Sequence, residues 1–161
     1  ELRAFGKEQL EAALAALKLA LKRVWPGRKC CAAAEALVAD LALTFLGAGL
    51  MERQLQSLKL VKEQLIGNAT RFQNALFDKK KVVAWLNESE YLLKVFKGHT
   101  QLVQRTDEIL LFLCREKEFT QEHLDALWAA GQGQGEDRAI SVFKVVQKLL
   151  FYFEAPLFDR L

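Results

Sequence analysis

Two histidines and three cysteines are the side chains best suited to covalent or metal chemistry in this sequence. A thiolate nucleophile needs an imidazole within hydrogen-bond reach, and a carboxylate or amide to orient that imidazole. His99 is placed at a helix entrance and His123 in a first helical turn, while Cys114 adjoins Leu113 on an apolar helix face. A thiol among hydrophobes keeps its proton and is a poor nucleophile. Cys30 and Cys31 are adjacent, so on a helix they point about 100° apart, and no CxxC spacing occurs. These five residues compose neither a catalytic dyad nor a tetrahedral zinc site. The expectation is no catalytic residue, no metal ligand and no cofactor, with the thiols reduced and serving as packing residues.

The run Lys79-Lys80-Lys81 is the best binding candidate by charge, able to meet phosphates, anionic lipid or an acidic protein. The competing reading, a solvated face in a helix's first turn, is favoured because the run is short and lacks an aromatic platform. Trp85 and Trp128 read as core anchors, whereas Trp25, beside Pro26-Gly27, is the tryptophan placed to reach a surface. The glycines from Gly131 to Gly135 follow a helix and have no preceding strand, so they read as a linker rather than a phosphate cradle. The sequons at Asn68 and Asn87 read as chance matches.

All of these groups must be positioned by helices. Of 161 residues, 52% are hydrophobic, with only 2 Pro and 9 Gly, and the strong helix formers dominate. That composition excludes a disordered chain and a β-rich one. A net charge of +3 is too balanced to imply nucleic acid. The longest uncharged run, Leu41 to Met51, is too short to span a bilayer. Residues 1–161 read as one α-helical domain, and a start at Glu1 rather than Met reads as a piece of something longer.

Apolar spacing predicts helices over about Leu2–Trp25, Arg28–Leu46 and Leu50–Leu65, with Gly67-Asn68 either a cap or a kink. Asp78 caps a helix over Lys79–Leu86, and another covers Glu90–Phe96. Thr100 is expected to cap a single helix over Gln101–Lys117, with Leu110 and Leu113 inward. Thr120 caps the next, in which Phe119 and Leu124 could staple the entry and Leu124, Leu127 and Trp128 share one face. The last long helix runs from Asp137 or Arg138 to Phe153, with Ile140, Phe143, Val146, Leu149 and Leu150 expected inward; a short one follows Pro156.

Phe119 to Ala130, ending Leu127-Trp128-Ala129-Ala130 and preceded by Arg115-Glu116-Lys117-Glu118, resembles a segment of the very large ubiquitin-specific proteases of the fat-facets family. Lys79 to Leu86 is similar to that family's Lys-Lys-x-Val-x-Trp-Ile/Leu, and Ile140 to Leu150 resembles it more weakly. The resemblance covers about half the chain, from residue 71 onward, and departs from the family where Phe77-Asp78 leads almost directly into the lysines. It implies the helical region far N-terminal of the protease domain, and so an irregular armadillo/HEAT-like stack of about eight helices; a closed helical bundle is the alternative. The family's Asn- and Gly-containing Cys box and its His box are absent, so no catalytic residue carries over. What the resemblance implies is a non-catalytic scaffold of a thiol-dependent deubiquitinase in the cytoplasm, and also the nucleus. Its partners would be proteins, ubiquitinated substrates and the catalytic domain of the same parent. A stand-alone adaptor unrelated to ubiquitin, and a basic module for nucleic acid or anionic lipid, are the rival readings.

Overall fold

In the computed structural model the described residues are 28–71, 78–132 and 135–153, with isolated helical positions between 9 and 23. Among the described residues every regular element is helical. The expected helix over 2–25 falls largely outside them; Trp25, residues 72–77 and the segment after Pro156 do so entirely.

Helix α1 (Arg28–Leu46) turns at Gly47 into α2 (Met51–Leu60), which passes without a break into a π-helical segment, Val61–Ile66, and then α3 (Gly67–Arg71). Gly67 is thus not a terminator: it keeps helical angles (φ −60°, ψ −41°) and its N–H donates to the carbonyl of Lys62, five residues back. The wide turn keeps Leu58, Val61, Leu65 and Ala69 all buried on one side, which compensates for the poorer hydrogen-bond geometry of a π-turn.

Asp78 caps α4 (Lys79–Glu88), its Oδ1 accepting from the Lys81 N–H at 2.9 Å. Glu90 then takes a left-handed conformation (φ 51°), which reverses the chain into α5 (Tyr91–Phe96). The helix expected over Gln101–Lys117 is two helices, α6 (Thr100–Gln104) and α7 (Asp107–Arg115). Its cap is His99 rather than Thr100, with the Gln101 N–H donating to His99 Nδ1 at 3.2 Å. The break comes from Thr106, whose hydroxyl donates to the Val103 carbonyl at 2.7 Å, while its N–H also turns back onto Val103.

Thr120 opens α8 (Gln121–Gly131) with a capping box in which His123 takes the place of the usual acidic residue. Phe119 stacks on His123 and on Phe153, with ring centroids 5.7 and 5.5 Å apart. Helix α9 (Glu136–Leu149) is followed by a short 3-10 turn, Leu150–Tyr152, so the helix stops four residues before Phe153. Its inward face is Arg138, Ser141, Val142, Val145, Val146 and Leu149. Ile140 and Phe143, expected inward, are 42% and 57% exposed. The sequence offered two overlapping apolar stripes, and the one that buries Val142, Val145 and Val146 brings two polar residues in with it. Phe143 makes a T-shaped contact with Trp128, at 5.1 Å between centroids.

The helices stack in layers. Helices α1, α2 and the π-segment form the first, α4 to α7 the second, and α8 with α9 the third; α1 touches α5 and α2 touches α6, which in turn touch α8 and α9. Leu110, Leu113, Leu124 and Leu127 are buried in this stack, and Trp128 and Leu150 pack partly buried against it. Gly98, between α5 and α6, allows the closest approach: a Cβ there would lie 2.6 Å from Leu102 Cδ1.

Candidate interaction surface

Among the described side chains, the groups that could do chemistry are Cys114, His99 and His123, each in a structural role; the side chains of Cys30 and Cys31 lie outside the described ones. Cys114 is buried on the inner face of α7, and that burial pushes its thiol up to about 11. At neutral pH it is a protonated packing group. His123 Nδ1 accepts from the Thr120 N–H at 3.1 Å, which places the imidazole proton on Nε2. Burial lowers its pKa, with Glu122 opposing the shift. His99 is likewise committed to the start of α6. Among the described residues no group of three or more His, Cys, Asp or Glu side chains could hold a metal ion.

Lys79, Lys80 and Lys81 are all exposed in the first turn of α4. Lys79 reaches across to Glu116 at the end of α7, with Nζ 2.6 Å from Oε1. Beside it a wide groove of about 880 Å³ runs between the π-segment and α7. It contains the Lys62–Glu108 ion pair at 2.6 Å together with Glu63 and Arg115, so both signs of charge line it. Lys79 therefore edges a mixed polar surface rather than a uniformly positive one. Trp85 is partly buried against Tyr91, at 5.3 Å between rings. Trp25, the other surface candidate, lies outside the described residues.

Two polar constellations were not anticipated from the sequence. In the first, Ser57 Oγ donates to the Ala42 carbonyl at 2.6 Å and so accepts from Tyr91 Oη at 2.8 Å. This buried relay joins α1, α2 and α5; burial raises the phenol's pKa well above its ordinary range, and the hydrogen bond to Ser57 opposes that shift. In the second, Arg138 is 6% exposed and spreads its guanidinium over three main-chain carbonyls. Nε donates to Ala130 at 2.5 Å, one Nη to Gly98 at 2.6 Å, and the other Nη to Phe96. A cation thus sits where the C-terminal ends of α5 and α8 converge, neutralising two helix dipoles at once. A signal for it existed: Arg138 shares the phase of Val142, Val145 and Leu149, four, seven and eleven residues on. Next to it, a smaller groove of about 360 Å³ opens between α5 and α8.

A family model described as the UBP24/USP9X/USP9Y ARM repeat matches residues 35–161, most of the chain. The chain belongs to this armadillo-repeat family. The layered helices described above are accordingly an armadillo-like stack. Among curated proteins the chain is similar to ubiquitin carboxyl-terminal hydrolase 9X of Mus musculus, 28% identical over 85 residues that make up 51% of this chain. It is also similar to the probable ubiquitin carboxyl-terminal hydrolase FAF of Drosophila melanogaster, 30% identical over 84 residues, or 50% of this chain. The match spans 3% of the length of either relative. No solved structure matches the chain significantly. The armadillo-repeat region of large ubiquitin-specific proteases is thus where these helices belong.

Proposed function

We propose that this chain is a non-catalytic scaffold segment of a large, thiol-dependent ubiquitin-specific protease, acting in the cytoplasm and the nucleus. On this reading the parent's catalytic domain hydrolyses ubiquitin isopeptide bonds, and the helical stack docks or positions the protein whose ubiquitin is removed. The observation that carries it is the structural commitment of the described thiol and imidazoles within a family of stacked repeats. Cys114 is a buried, protonated thiol, and both imidazoles are engaged in helix caps. Stacked helical repeats offer extended surfaces suited to protein partners. The Lys79–Glu116 pair favours such a mixed surface over a nucleic-acid or lipid module.

The test is deletion of residues 1–161 from the parent enzyme. Turnover of a minimal substrate, ubiquitin carrying a fluorescent amide, should stay within about twofold of the intact enzyme, because no transition-state contact is removed. Removal of ubiquitin from a protein substrate of the same enzyme should fall, through KM. Loss of minimal-substrate turnover, or hydrolysis of that substrate by the isolated chain, would overturn the proposal.

A further inference from the structure

The α5/α8 groove differs in kind from the wide one beside the lysines. One wall is α8, where Ala126, Ala129 and Ala130 recur at i, i+3 and i+4 and leave a smooth strip with nothing beyond Cβ. Leu93, from α5, stands on the other wall and is 36% exposed. The charged residues that line the groove are both cations, Lys97 at the rim and Arg138 at the base, and no carboxylate lines it among the described residues.

Arg138 keeps the base of the groove cationic. A guanidinium has five N–H groups, and three of them are directed at the carbonyls of Phe96, Gly98 and Ala130. Those carbonyls bring the partial negative charge of two helix ends, about half an electron each at most. No carboxylate pairs with Arg138 among the described residues; its charge is answered by main-chain dipoles alone.

We infer that the α5/α8 groove receives an acidic, aliphatic segment of a partner protein. Its aliphatic side chain lies on the alanine strip against Leu93, and its carboxylate meets Lys97 at the rim. Sign and shape both select this occupant: an all-apolar segment leaves Lys97 unanswered, and a basic one is repelled by it. The inference rests on the docking role proposed above and names the chemistry of one docked partner.

The experiment is a titration of the 15N-labelled chain with the peptide acetyl-Glu-Leu-Leu-Asp-Leu-amide, alongside its Gln/Asn counterpart. The acidic peptide should shift the amides of Leu93, Lys97, Ala126 and Ala129, saturably. The Gln/Asn peptide should bind about tenfold more weakly, and raising NaCl from about 50 to about 500 mM should weaken the acidic peptide alone. Two exposed substitutions leave the Arg138 contacts in place. Lys97→Glu should cost about tenfold in affinity, and Ala129→Leu, which fills the strip, should abolish the shifts with an unchanged thermal melt.

Absence of shifts at millimolar peptide overturns the inference, as does equal binding of the neutral peptide or shifts confined to the Lys79–Lys81 face. Its failure is separable from failure of the scaffold reading. A silent titration beside a positive deletion result in the parent enzyme rejects this groove and keeps the scaffold, whereas a failed deletion result rejects the scaffold itself.

Discussion

Replacing Arg138 with methionine should be among the most damaging single changes in the third layer. The substitution keeps much of the side chain's length and apolar stem but withdraws donors from the carbonyls of Phe96, Gly98 and Ala130. Charge-assisted bonds contribute about 1.5–3 kcal/mol each, so three represent roughly 4–9 kcal/mol gross. Against this, the variant no longer buries a cation, a recovery of several kcal/mol. The carbonyls, at helix ends 32 or more residues apart in sequence, are left facing an apolar side chain. The net expectation is a loss of about 3 kcal/mol, large against a domain stability of about 5–15 kcal/mol. Urea unfolding followed by far-ultraviolet circular dichroism measures it. Lys144→Met, on the exposed face of the same helix, is the control and should change stability by less than about 0.5 kcal/mol. Arg138→Lys retains the charge but not the fork and should fall between the two. A loss no larger than that of the Lys144 control would refute the reasoning, and would mean that water serves these carbonyls as well as Arg138 does.

Three further outcomes follow from other contacts. Ser57→Ala should cost about 2 kcal/mol and Tyr91→Phe about 1 kcal/mol, because the first strands two buried partners and the second one. A double-mutant cycle should return a coupling near 1 kcal/mol, and zero coupling would deny the relay. Gly98→Ala should destabilise by about 1–3 kcal/mol, since its Cβ would press on buried Leu102 and lie 3.1 Å from the Val95 carbonyl; a variant as stable as the parent chain would show that Leu102 moves aside freely. His123 has a folded pKa below its unfolded one, so the folded state binds fewer protons in between, and its contribution is full above the unfolded value. Stability should therefore fall as pH drops from roughly 6.5 through the folded pKa, and His123→Gln should flatten that slope. An unaltered urea-midpoint profile in the variant would contradict the assignment.

The all-helical class was legible because composition and the 3.6-residue period agree along the whole chain, and caps such as Asp78 and Thr120 are local signals. The break at Thr106 was not, since Leu102, Val103, Thr106, Ile109 and Leu110 keep one uninterrupted apolar spacing and the hydroxyl's choice of a backbone acceptor is invisible in it. The rotation of α9 was missed for a different reason. Phe143 and Ile140 are as apolar as Val142 and Val146, so pattern alone could not rank the two stripes. What decided between them was Arg138, whose acceptors at Phe96 and Gly98 lie about 40 residues away and exist only once the layers are stacked. The small groove escaped for the same reason: alanines read as good helix formers, and their value as a smooth wall depends on which helix faces them. Lys79–Lys81 was conspicuous in the sequence, yet its charge is partly answered by Glu116, brought near from 37 residues on.

The wide turn at Val61–Ile66 has a consequence for how the chain tolerates changes in length. A π-turn carries about one residue more than an α-turn needs to cover the same arc. Excising exposed Glu63 would let the segment relax to an ordinary α-helix, with Val61, Leu65 and Ala69 falling three and four places apart on the same stripe. Helices that follow would keep their partners. A single-residue deletion, which elsewhere in these helices would rotate every later side chain by about 100° and tear the layers apart, is absorbed at this one point.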